Sequence, residues 1–353
     1  LRQGQLVRIA IDVMGGDHSP DAILAGSLDA LELLSPDDRL VLVGDEAVIR
    51  EEIAERRLQN EPRLEVVPTT QVIGMAEPPV AALREKPDSS IARMTELAGK
   101  KAGEQRCDVI ISAGNTGACV AAAGRYLRRL PGANRPGIAV TMPTFFGPVV
   151  ICDVGANPDP RPHHLHQYAR MAAIYANKLI GLENPRVALM SIGGEEGKGT
   201  PLVKESHKLL KSDQTLNYVG YAEGRDIFDG KADVIVTEGF TGNVILKLAE
   251  GLAAGLFRTI AHEIFEEDPD LAMKFEPIVK KIYKKHDYHE YGGAPLLGAN
   301  GILLICHGSS EARTITAAVR AGIKYAKYGV NNAIVEALAQ DANQNEPASE
   351  EVA

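Results

Sequence analysis

Six turns in this sequence combine glycine with small polar residues, and each follows a short apolar run. Asp12 leads into Val13-Met14-Gly15-Gly16-Asp17-His18, and Ser112 into Ala113-Gly114-Asn115-Thr116-Gly117. Asp153 leads into Val154-Gly155-Ala156-Asn157, and Ser191 into a run from Ile192 to Gly199. Thr237 leads into Glu238-Gly239-Phe240-Thr241-Gly242-Asn243, and Cys306 into His307-Gly308-Ser309-Ser310. Glycine lets backbone approach a ligand closely, and the first turn of a helix presents N–H groups with no partner inside the helix. Together they make a site for an inorganic anion. Gly114, Asn115, Thr116 and Gly117 precede an alanine-rich helical pattern and are the first candidates for holding phosphate. Gly15, Gly16, Asp17, Asn157, Thr241, Asn243 and Ser309 occupy comparable turns and can add hydrogen bonds. The competing reading is that these glycines only ease tight strand-to-helix packing.

Three side chains in the same turns can move charge. Lys198 is the only cation in its glycine loop, and an ammonium there can neutralise a phosphate or a developing oxyanion. It can equally be a solvated lysine paired with Glu195 or Glu196. The GxxxxGK[ST] spacing of a nucleotide-binding loop is absent. His18 and His307 can act as general acids or be satisfied loop histidines. Asp12 and Asp153 end strands, where carboxylates either face a ligand or cap the following turn. His163, His164 and His166 have no carboxylate or cysteine at ligand spacing, so no metal is expected. Neither a GxSxG elbow nor a reactive-cysteine signature is present. Direct displacement by a positioned anion is therefore favoured over a covalent enzyme intermediate.

Positioning six such turns requires a sheet whose strands end on one edge. Apolar runs at Val7–Asp12, Arg39–Val43, Leu64–Val67, Asp108–Ser112, Ile138–Met142, Val149–Asp153, Val187–Ser191, Leu216–Val219, Asp233–Thr237 and Ile302–Cys306 alternate with helical patterns. Continuous apolar strands are those covered by helices on both faces. The pattern predicts an α/β fold with a mostly parallel sheet in an α/β/α sandwich. In such sheets ligands bind beyond the carboxyl ends of the strands. One catalytic domain is expected over residues 7–335, with a helical insertion around 243–290 and a flexible acidic tail over 341–353.

Composition narrows the partners. The chain has 353 residues, enough for a large core, and its net charge of −9 argues against tight nonspecific nucleic-acid binding. The four cysteines form no CxxC pair and read as reduced core residues, which suits the cytoplasm. Leu1–Gln5 leads into a strand rather than an apolar signal core, so no secretory signal is expected. The segment from Asn243 to Phe265 reads as a long helix with Ile245, Ala249, Leu252, Leu256 and Ile260 in one stripe and Phe257 widening it. Core or dimer packing explains such a stripe, and so does contact with a membrane interface. Lys274, Lys280, Lys281, Lys284 and Lys285, interleaved with Phe275, Ile278 and Tyr283, add a local basic patch for anionic lipid or an acidic carrier protein.

Taken in order, the turns resemble one family. Asp12 to His18, Ser112 to Gly117, Asp153 to Asn157, Gly239 to Asn243, Tyr291-Gly292-Gly293-Ala294 and His307 to Ser310 look like the bacterial phosphate acyltransferase of phospholipid synthesis, and the resemblance runs from about Val7 to Val335. Two positions depart from its usual pattern: Gly194, where threonine is common, and Glu238, where aspartate is common. The resemblance implies acyl transfer from an acyl carrier protein thioester to inorganic phosphate. It also implies a homodimer, peripheral membrane association and delivery of acyl phosphate to a membrane glycerol-3-phosphate acyltransferase. No metal or nucleotide cofactor is implied, and the fold should be similar to isocitrate and isopropylmalate dehydrogenases and to phosphotransacetylases. The rivals are a phosphotransacetylase acting on coenzyme A thioesters, a dehydrogenase of similar fold and a non-catalytic membrane scaffold.

Overall fold

A computed structural model of the chain describes residues 6–285 and 291–344. Its elements run β1 (Arg8–Asp12), α1 (Asp21–Asp29), β2 (Arg39–Gly44), α2 (Glu46–Glu55), β3 (Leu64–Pro68), α3 (Pro79–Glu85), α4 (Ser90–Ala98), β4 (Val109–Ser112) and α5 (Thr116–Ala122). Then follow β5 (Gly137–Thr144), β6 (Gly147–Cys152), α6 (Pro162–Tyr175), β7 (Arg186–Met190), α7 (Pro201–Ser212), β8 (Asn217–Ala222), β9 (Val234–Val236), α8 (Gly239–Glu267) and α9 (Pro269–Lys285). The chain closes with β10 (Ala294–Leu297), β11 (Ile302–Ile305), α10 (Ala312–Lys327) and α11 (Val330–Gln344).

Contacts gather these elements into two compact units, where the sequence reading expected one domain. The first holds the residues up to Pro136, Asn177–Gly181 and the residues from Tyr291 onward; the second holds Gly137–Ala176 and the residues from Leu182 to the end of α9. Of the expected acidic tail, Asp341 to Gln344 belong to α11, and residues 345–353 lie outside the described residues.

In the first unit the strand order is β3-β2-β1-β4-β11-β10, parallel except for β10, which runs antiparallel to β11. Alternate residues Ile9, Ile11, Val109 and Ile111 join Ile23 and Leu24 of α1 and Ile315 and Val319 of α10 in one core. The intervening Ala10 and Ile110 are buried as well. Burial on both faces is why these strands read as unbroken apolar runs rather than alternating ones. In the second unit the order is β5-β6-β9-β7-β8, with β5 and β6 an antiparallel hairpin and the rest parallel.

The ten expected strand runs are all present, and the fold is the mostly parallel α/β type. The strand that sequence reading missed is β10, four residues containing Pro295 just after Gly292 and Gly293. Proline gives up a ladder donor, so such a run reads as a turn rather than a strand.

Packing between α1 and α10 is close enough to exclude a side chain at Gly26. An added Cβ there would lie 2.1 Å from the Ala312 carbonyl oxygen. Alanine gains roughly 1 kcal/mol of helix propensity over glycine. The clash should nonetheless leave Gly26→Ala destabilised by about 1–3 kcal/mol in urea unfolding. Unchanged stability would show that the two helices do not meet at this contact.

Candidate functional site

Parallel pairing puts the carboxyl ends of β1, β4 and β11 on one edge of the first unit's sheet, and three of the glycine turns are knitted together there. The centre of the knot is Asp12, fully buried. The Ser112 hydroxyl donates to Asp12 Oδ2 over 2.7 Å, and the Met14 amide donates to Oδ1 over 3.1 Å. Ser112 Oγ in turn accepts from the Gly114 amide at 3.0 Å. Burial pushes the Asp12 carboxyl up from its ordinary value, against hydrogen bonds from Ser90, Ser112, Met14 and Gly15.

Glycine is required where the turns touch. A Cβ on Gly15 would lie 2.3 Å from Asp12 Oδ2 and 2.8 Å from Gly114 Cα. Gly16 has φ +113°, and the next amide, that of Asp17, donates to the Gly308 carbonyl at 2.7 Å. This bond joins the turn after β1 to the turn after β11.

Asn115 holds a fourth segment that no motif in the sequence announced. Its Oδ1 accepts from the Ala118 amide and caps α5, while Nδ2 donates to the carbonyls of Gly74, Met75 and Glu77 at 3.0–3.2 Å. Glu77 closes that segment by accepting from the Gly74 amide and from Lys86. The expected phosphate contact of the Asn115 side chain therefore meets a side chain already committed to the frame. The N–H groups of Thr116 and Gly117, at the start of α5, have no acceptor among the described residues.

His18 and Asp17 are exposed beside the knot, and His18 makes no side-chain hydrogen bond among the described residues. His307 Nδ1 accepts from the Ser309 amide at 3.3 Å and lies 2.7 Å from Ser309 Oγ. In the neutral ring this leaves the proton on Nε2.

The second unit repeats the device with different partners. Asp153, fully buried at the end of β6, accepts from the amides of Ile138, Gly155, Ala156 and Asn157 at 2.7–3.2 Å. Burial outweighs these bonds and pushes its pKa up as well. Such a carboxylate caps its turn, the alternative the sequence had left open for this position. A Cβ on Gly242 would lie 1.9 Å from the Asp153 carbonyl oxygen, so α8 starts against this turn only because glycine stands there. Asn157 donates to Tyr168 Oη at 2.6 Å and is nearly buried. Glu238 caps α8 by accepting from the amides of Phe240 and Thr241, and the Thr241 hydroxyl donates to the same carboxylate. Asn243 is half-buried near Gly155.

Lys198 donates to Glu195 over 2.9 Å and is half-exposed, the paired alternative of the sequence reading. Two of the three histidines in the first turns of α6 have other work. His164 accepts from the Arg161 amide, and His166 pairs with Asp213 at 2.7 Å. No cluster of potential metal ligands occurs among the described residues. All four cysteines are buried and unpaired.

On α8, Leu248 and Leu252 are each 66% exposed, and Phe240, Val244, Leu256 and Ile260 continue the row at four-residue spacing. Phe257 is half-buried. Met273, Phe275 and Ile278 of α9 are exposed too, while the side chains of Lys280, Tyr283, Lys284 and Lys285 lie outside the described residues. No helix among the described residues is long and apolar enough to cross a membrane.

The raised pKa of Asp12 has a pH signature. Because the folded state binds this proton more tightly, the group's contribution is fully present below the unfolded pKa of about 4 and is lost as pH rises through the folded value. Asp12→Asn cannot titrate there. Wild-type stability in urea should fall relative to Asp12→Asn as pH rises above about 4, and a pH-independent difference would refute the assignment.

The family profile described as fatty acid synthesis protein matches residues 7–333. A phosphate acyltransferase from Nitratidesulfovibrio vulgaris is 42% identical over 332 residues, covering 94% of each chain. Another from Desulforamulus reducens is 42% identical over 342 residues, covering 97% of this chain and 100% of its own. Among solved structures, a phosphotransacetylase from Streptococcus pyogenes aligns with a TM-score of 0.59 at 15% identity, covering 92% of this chain and 94% of that one. One from Staphylococcus aureus gives 0.57 at 16%, covering 92% and 95%. At that identity the structural likeness speaks for the fold alone. The sequence match over nearly the whole length goes further: this chain belongs to the fatty acid synthesis protein family, an enzyme family whose relatives named above are phosphate acyltransferases.

Proposed function

We propose that this enzyme transfers a fatty acyl group from the thioester of an acyl carrier protein to inorganic phosphate, releasing acyl phosphate and the free carrier thiol. The observation that carries the reading is the knot in the first unit, where Gly15 lies against Gly114 and the open amides of Thr116 and Gly117 stand at its edge. Phosphate is anionic at neutral pH and needs holding more than activating. One phosphate oxygen attacks the thioester carbon, the tetrahedral oxyanion collapses, and the carbon–sulfur bond breaks. The departing thiolate takes a proton from an imidazolium, that of His307 or of His18; for His307 this form requires Nδ1 to release the Ser309 amide. Asn115 acts by fixing the turn. Lys198 is the proposed cation for the substrate's negative charge, a role in which it must exchange Glu195 for the substrate.

The uncovered apolar row on α8 supports two further parts of the proposal: a homodimer, and peripheral contact with the cytoplasmic membrane surface. There acyl phosphate would pass to a membrane glycerol-3-phosphate acyltransferase. No nucleotide or metal cofactor enters the scheme.

The test is phosphate-dependent release of free thiol from palmitoyl carrier protein, run beside acetyl-CoA. Preference for acetyl-CoA would convert the reading to a phosphotransacetylase, and absence of phosphate dependence would end it. His307→Asn should lower kcat about 100-fold with little change in the KM for phosphate. Lys198→Ala with normal folding and unchanged turnover would remove Lys198 from the mechanism.

Leu252→Glu should weaken binding to anionic vesicles while turnover in solution survives. Loss of both the dimer and turnover would instead make this face subunit packing.

A further inference from the structure

The first unit carries a basic cleft that takes no part in the knot. Its volume is about 660 Å³, and it is lined by Arg128, Arg129, Gly132, Asn134, Arg135 and Pro136 among others, with no carboxylate in the lining among the described residues. It follows the wide helical turn Ala123–Leu127 that continues α5, on the side where Leu130 bonds to Gly298 just before β11 begins. The cleft therefore sits at the amino-end edge of this sheet, whereas the knot sits at the carboxyl-end edge.

Arg128 is held in a backbone conformation that suits glycine. It has φ 66° and ψ −164°, its amide donates to the Ala123 carbonyl, and its own carbonyl accepts from the Asn300 amide. A non-glycine residue in this region is strained, and such strain persists where the side chain serves a purpose. Neither Arg128 nor Arg129 forms an ion pair among the described residues, and Arg129 spends a single donor, on the Asn134 carbonyl. Arg125, Arg128, Arg129 and Arg135 are all exposed. A cation at a helix C-terminus interacts favourably with the helix dipole, which accounts for one such charge but not for several around a concavity.

We propose that this cleft docks the acidic face of the acyl carrier protein, an inference that rests on the function proposed above. A chain of net charge −9 repels an acidic protein on average, so productive encounter needs a local cationic patch to steer it. The guanidiniums are spread and exposed, as suits a broad anionic surface; a small free anion is held by converging buried donors. The twelve residues from Thr116 to Leu127 separate cleft from knot, a helical length of roughly 18 Å. The docked protein must therefore carry its thioester on a long extended tether.

The experiment compares palmitoyl carrier protein with palmitoyl-pantetheine, the same thioester without the protein body. Arg129→Glu/Arg135→Glu should raise the KM for palmitoyl carrier protein about tenfold at low salt, the order expected for two reversed rim charges. The values for palmitoyl-pantetheine and phosphate should not move. The difference should vanish near 1 M salt, where the Debye length is about 3 Å. Arg128→Gly should raise the same KM severalfold while the melting temperature holds or rises, which a purely structural arginine would not do. An unchanged KM for the carrier, or a parallel loss with both thioesters, overturns the proposal. So does loss of binding to phosphatidylglycerol vesicles with carrier KM intact, which would assign the cleft to lipid. Carrier binding followed by fluorescence anisotropy tests docking without turnover: if the wild type binds the carrier through these arginines yet releases no thiol, the functional reading fails and the docking surface stands.

Discussion

A carboxylate taken out of water at the end of a parallel strand has to be met by donors, and both glycine-rich clusters are built around that requirement. Asp12 and Asp153 are each fully buried. Each lies where a strand stops and its chain must turn, so the amides of the turn are the donors at hand. Drawing them in compresses the turn, and compression is tolerable only with glycine at the contacts. Gly15 against Asp12 and Gly242 against Asp153 are the places where a single methyl group would not fit. Both carboxyls still sit above their usual pKa, so the donors offset the burial only in part.

The same requirement separates frame from chemistry. Asn115, Asn157, Thr241 and Ser112 spend their polar groups on other protein groups and hold the turns in place. His18 and Lys198 are exposed, Lys198 paired with Glu195, while His307 is half-buried and tied to Ser309. A side chain that holds a frame is a poor proton carrier, because moving its proton breaks the frame.

The surface follows a different logic. An acidic chain with a patch of exposed arginines and a row of uncovered leucines on α8 displays the two features that water and a uniform net charge do not explain. Each is a local departure from an otherwise ordinary surface.

Local pattern alone determined much of this protein. The ten apolar runs are strands because burial on both faces leaves a signature in consecutive residues, and the glycine turns fall at their ends for the same reason. Pairing across distance was beyond it. Asn115 looked like a phosphate ligand because nothing nearby in sequence announces that residues 74–77, some forty positions earlier, will claim its amide. Lys198 and Asp153 allowed two readings each, and only tertiary placement showed the ion pair and the capped turn. Nor did the sequence reveal the arginine cleft or the strand β10, since one is a concavity and the other a pairing with β11, and both exist only once the chain has closed on itself. Periodicity records which residues are buried; hydrogen-bond partners are chosen by geometry that the folded chain alone supplies.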